Sequence, residues 1–158
     1  MRRAGVILVG LAVLSLAPAR SAWCGGLAPR IAVEDPGRKN HVITILGAHL
    51  VRVAGLDRAQ VTPPLTALDR HLEARLSAGE PAVVYPEVVL SIVKAALLRG
   101  WPPSDTCAVL VGAMRRIDEG QSPEMTRQKV VLSIVRNEKA AAILAALQNP
   151  PTTEAGLR

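Results

Sequence analysis

Val88 to Lys94 reads VVLSIVK, and Val130 to Arg136 reads VVLSIVR. The two copies lie 42 residues apart, and each follows a glycine turn, Gly79-Glu80-Pro81 for the first and Gly120-Gln121-Ser122-Pro123 for the second. Each sits in an apolar segment of helical character. An internal match of this kind predicts a duplicated helical unit, with Val88, Val89, Ile92 and Val93 in one copy and Val130, Val131, Ile134 and Val135 in the other as a paired core. Stepping back another 42 residues from Val93-Lys94 reaches Val51-Arg52, in a further apolar segment. A unit of about forty residues, two helices joined at a proline turn, falls in the length range of HEAT-type helical hairpins. The expected fold is therefore all-α. About five helices form two to three stacked hairpins, as a short HEAT-like stack or a compact bundle.

The remaining segments are read outward from this pair. Pro86 to Arg99 is apolar nearly all round, the pattern of a helix in the middle of a core. Gly100 stops it, and Trp101 is placed to fold back over Ala96 and Leu97. Pro102-Pro103 opens the next helix, with a stripe of Cys107, Leu110, Val111, Met114 and Ile117. Ser122 and Pro123 start a last long helix that runs to about Leu147 before Asn149-Pro150-Pro151. Upstream, Thr62-Pro63-Pro64 reads as cap and first turn of a helix carrying Leu65, Leu68, Leu72 and Leu76, after a short turn capped by Asp57. Asn40 caps the first helix, whose expected stripe is Val42, Ile45, Leu46, His49, Leu50 and Val53. A β-hairpin over 41–54 competes through its β-branched residues, but the complete helical stripe favours the helix.

The chain divides into a leader over 1–21, an extended N-terminus over 22–39, one helical domain over 40–147 and a disordered tail over 148–158. Arg2 and Arg3, the apolar run Val6 to Leu16, and the small residues of Ala17-Pro18-Ala19 or Ala19-Arg20-Ser21 at the −3 and −1 positions make the three parts of a secretory signal peptide. An uncleaved anchor is the alternative. The expected address is secreted or periplasmic. Of the 19 basic residues, Arg2, Arg3 and Arg20 belong to the leader, which leaves 16 against 13 acidic residues. That balance, with no Phe, one Tyr and two Trp, argues against nucleic acid as partner. In an exported chain the two cysteines, Cys24 and Cys107, permit a disulfide. Burial of Cys107 in its helical face and a lipid on Cys24 are alternatives, though Trp23 stands where a lipoprotein signal wants a small residue. Membrane contact is expected only through an uncleaved leader or a lipidated Cys24.

Motifs that carry chemistry are missing. His41, His49 and His71 form no i, i+4 pair, and no HExxH, CxxC, P-loop or G-x-S-x-G occurs. Ser91 and Ser133 recur but read as helix serines bonded to a carbonyl one turn back. Asp69 and Glu73 lie one turn apart among Arg70 and Arg75, the pattern of a solvated ion-paired face. Arg115-Arg116 is followed at once by Asp118 and Glu119. No catalytic, metal or cofactor residue is therefore assigned. The expected function is a non-enzymatic protein–protein interaction or structural module; the alternative is a carrier or sensor of an apolar ligand, or a membrane-surface protein.

Overall fold

The computed structural model describes residues 30–149. The expected leader, Cys24 and nearly all of the expected tail lie outside the described residues. Six helices and one two-stranded sheet make up the described part, of which 73% is helix. The fold is all-α in character, as expected, with little sheet.

Within the expected extended segment 22–39, residues 31–33 pair in the sheet and a helix already begins at Pro36. β1 (Ile31–Val33) pairs antiparallel with β2 (Ala82–Val84), with Ile31 opposite Val84 and Val33 opposite Ala82. Val33, Ala82 and Val84 are buried. Three-residue strands carry too few residues to show alternation, which is why the pattern did not announce them.

α1 (Pro36–Arg52) starts four residues before the expected Asn40 cap. Asp35 is the N-cap, its carboxylate accepting from the Arg38 N–H at 2.9 Å, and Pro36 stands where no N–H is needed. Its inward stripe is Val42, Leu46 and Leu50, flanked by half-buried Ile43 and Val51. Ile45 and Val53 belonged to the expected stripe, yet they face solvent at 52% and 71% exposure. The apolar arc of this helix is wide, and the neighbouring helices cover its Ile43–Val51 side rather than its Ile45–Val53 side.

α2 (Arg58–Ser77) absorbs both the expected short turn and the helix after it. Asp57 caps it, accepting from the Ala59 N–H at 2.7 Å, and Pro63 and Pro64 stand inside the helix rather than at its start. α3 (Pro86–Leu98) buries Val88, Val89, Ile92, Val93, Ala96 and Leu97. At its end the Trp101 N–H returns to the Ala96 carbonyl at 3.0 Å, with the Trp101 ring packed against the core. α4 (Pro103–Asp118) follows; Thr106, Val109, Leu110, Ala113, Met114 and Ile117 are buried in it, while Cys107 and Val111 are half-buried.

The expected long last helix is two helices, α5 (Pro123–Val135) and α6 (Ala140–Gln148). Asn137 breaks it with φ 61, a left-handed conformation in which Asn is the best tolerated residue after Gly. The Asn137 N–H bonds to the Ile134 carbonyl and the Glu138 N–H to the Ser133 carbonyl, both at 3.0 Å, closing the helix end.

The heptapeptides sit differently in their helices. The first begins at the third residue of α3 and the second at the eighth residue of α5, although both helices are 13 residues long. Five residues correspond to about 140° around a helix. Identical side chains consequently meet different surroundings. Val130 and Ile134 are buried, as are all four of Val88, Val89, Ile92 and Val93. Val131 is only half-buried and Val135 is 47% exposed, so Val135 does not join the core.

Within the described residues α1 packs on α2, α2 on α4, α3 on α4 and α5, and α4 on α6. Smaller contacts join α1 to α3, α4 to α5, and α5 to α6. The α4–α6 approach is close because position 112 is glycine. A Cβ there would come within 2.8 Å of Leu144.

Candidate functional site

An open groove with a volume of about 750 Å³ lies between α1 and α2. Its floor is Ile43, Gly47, Val51, Val61 and Leu65, with Ala48 at its lip. Gly47 deepens it, since a Cβ there would stand 3.1 Å from Leu65. Asn40, Thr44, Arg52, Arg58, Thr62, Thr66 and Asp69 make the polar rim. Three rim hydroxyls are engaged within their own helices: Thr44 donates to the Asn40 carbonyl at 2.8 Å, Thr62 to that of Arg58 at 2.8 Å and Thr66 to that of Thr62 at 3.0 Å. They present methyl groups at low polar cost. An apolar floor with a polar rim is the anatomy of a docking surface.

One end of this groove is tied by a buried lysine that sequence reasoning did not single out. Lys39 is buried on α1 and reaches two carboxylates of α2, Asp69 at 3.1 Å and Glu73. The Glu73 bond, aided by Asp69 and opposed by burial, holds the Lys39 ammonium above its ordinary value of 10.5. Asp69 and Glu73 do form an ion-paired face. Their partner is Lys39, 30 or more positions upstream, rather than Arg70 or Arg75 beside them.

A second polar cluster joins α2 to α4. His71 Nε2 lies 2.9 Å from Asp118 Oδ2, and Arg75 reaches the same carboxylate at 3.2 Å while also pairing with Glu80 at 3.1 Å. These groups, with Arg115 and Glu119, line a cleft of about 320 Å³. His71 and Asp118 are both largely buried. A His–Asp pair orients an imidazole; among the described residues the cleft's lining carries no hydroxyl or thiol. The arrangement ties two helices together by charge.

The other residues raised by the sequence stand apart. Ser91 and Ser133 are half-buried, one in each of two packed helices; it is Thr44, Thr62, Thr66 and Thr106 that bond back to a carbonyl one turn earlier. His41 is exposed on α1 and His49 is half-buried farther along it. Cys107 borders a third concavity, of about 670 Å³, with Ala67, Val111, Leu144 and Leu147. Burial pushes its thiol up from 9.0. Among the described residues no group of three or more His, Cys, Asp or Glu side chains could hold a metal ion, and no helix is long and apolar enough to cross a membrane. Comparison of the chain with protein-family models, with curated proteins and with solved structures finds no match.

Proposed function

We propose that this chain is an exported, non-enzymatic interaction module whose α1–α2 groove receives a helical segment of a protein. The groove itself is the observation that carries the reading. It runs along two helices, with an apolar floor and a polar rim, the surface on which an amphipathic helix lays down residues at i, i+3, i+4 and i+7. In this reading the six helices form a two-layer stack of three hairpins, α1–α2, α3–α4 and α5–α6. Support comes from the order of contacts. α1, α3 and α5 meet in succession, as do α2, α4 and α6. That is the pattern of repeats that touch only their neighbours. The middle hairpin is then covered on both sides and the first on one, which leaves the α1–α2 groove open.

The carrier reading has less support. Its natural site was the all-round apolar helix, and α3 spends those side chains on packing, with only Leu98 strongly exposed at 64%. Export rests on the leader-like sequence alone.

A photo-crosslinking residue in place of Ala48, in cells that make the protein, tests the groove. The expected result is a protein adduct from position 48 and none from position 128, an exposed site on α5. Adducts formed equally from both positions, or from neither, would remove the groove as the site of contact.

A further inference from the structure

The groove carries opposite charge at its two ends. Arg52, the last residue of α1, and Arg58, the first of α2, stand together at one end, and neither makes an ion pair among the described residues. Asn40 and Asp69 stand at the other, beside Glu73. There the Lys39 ammonium is nearly covered, whereas the side chains of Asp69 and Glu73 are 35% and 51% exposed. Two carboxylates against one ammonium leave that end negative. Along the axes the two ends are about 17–18 Å apart, from twelve residues of α1 and eleven of α2. The middle is apolar, with Gly47 and Ala48 offering little bulk.

This layout is self-complementary. A two-fold axis lying in the plane of the groove face and perpendicular to the groove's length lays α1 of a second copy antiparallel over α1 of the first, and α2 over α2. It places Arg58 of each copy over Asp69 of the other, and Arg52 over Asn40. An isologous interface requires that every such contact occur twice, and here both do. We propose that the groove is closed by a second copy of this chain in a two-fold dimer, with Arg58–Asp69 as its reciprocal ion pair. The proposal rests on the reading of the groove as a protein-docking surface and names the protein. The face is about 25 Å long and two helix diameters, about 20 Å, wide. That is at the small end for stable complexes, so the dimer forms at micromolar concentration and dissociates on dilution.

Sedimentation equilibrium on the purified full chain, across a wide concentration range, tests this. The wild type is expected to show a monomer–dimer equilibrium. Arg58→Glu and Asp69→Arg should each weaken it by about tenfold or more, because the two-fold repeats each like-charge contact. An equimolar mixture of the two variants should dimerise again, since the introduced glutamate of one then faces the introduced arginine of the other. Circular dichroism checks that each variant is folded. Should Asp69→Arg unfold through loss of a Lys39 partner, Val51→Glu on the groove floor supplies the second test and is expected to be monomeric. A wild type that stays monomeric, a dimer indifferent to these changes, or a mixture that stays monomeric would overturn the two-fold arrangement. A monomeric wild type that crosslinks a different protein from position 48 would sink the dimer and leave the docking function standing; one that crosslinks nothing would sink both.

Discussion

Val93 and Val135 occupy the same place in two nearly identical heptapeptides, yet one is fully buried and the other 47% exposed. Truncating each to alanine isolates what the helix register does. At Val93 two methyl groups leave a packed site, worth about 0.8 kcal/mol each in transfer plus a cavity contribution, about 2–3 kcal/mol together. Alanine's better helix propensity returns about 0.6 kcal/mol, so the net loss is about 2 kcal/mol. At Val135 about half the transfer remains to be lost, and the propensity gain cancels most of it, for a net change within about 0.5 kcal/mol of zero. Urea denaturation with an unchanged m-value reads both. Ile92→Ala and Ile134→Ala, both at sites with no exposure, should each lose about 2–5 kcal/mol and serve as controls. Equal losses at Val93 and Val135 would refute the offset register.

Three further outcomes follow from single residues. Asn137→Ala should cost about 1 kcal/mol, because alanine tolerates φ 61 less well, while Asn137→Gly should be nearly neutral; thermal unfolding distinguishes this from a break with no conformational requirement, in which alanine would be harmless. The raised Lys39 ammonium contributes stability that is complete below 10.5 and is lost as pH climbs through its higher folded value. Urea midpoints of the wild type should therefore fall more steeply above that pH than those of Lys39→Met, and parallel curves would refute the linkage. In a Cys24→Ser background the Cys107 thiol, raised by burial, should react with iodoacetamide more slowly in the folded protein than in urea at the same mildly alkaline pH. Equal rates would mean that the thiol is not shielded.

Helix placement was largely legible because proline and glycine punctuate this chain. Pro86, Pro103 and Pro123 open helices where their missing N–H costs nothing, and Gly100 and Gly120 follow helix ends. The α5–α6 break escaped because Glu138, Lys139 and the alanines after them are strong helix formers, and only Asn137 marked the turn. The full extent of α2 escaped because paired prolines usually open a helix, whereas here Asp57 caps it six residues before Pro63. Faces were harder than spans. On α1 apolar residues occupy so wide an arc that periodicity did not decide between the Ile43–Val51 and Ile45–Val53 sides; contacts from distant segments did. The groove was invisible for the same reason, since its floor joins α1 to α2 across the loop. The Lys39 and Asp118 ion pairs join residues tens of positions apart, and local charge spacing points instead to neighbours such as Arg70.

The proposed docking surface is the α1–α2 groove. Its most direct measurement is a titration with a dye that fluoresces on apolar surfaces, at protein concentrations low enough to keep the chain monomeric. Wild type and Leu132→Glu, which alters an exposed leucine of α5, are expected to bind the dye alike, and Val51→Glu to lose most of the signal. Binding that survives Val51→Glu and disappears with Leu132→Glu would contradict the account.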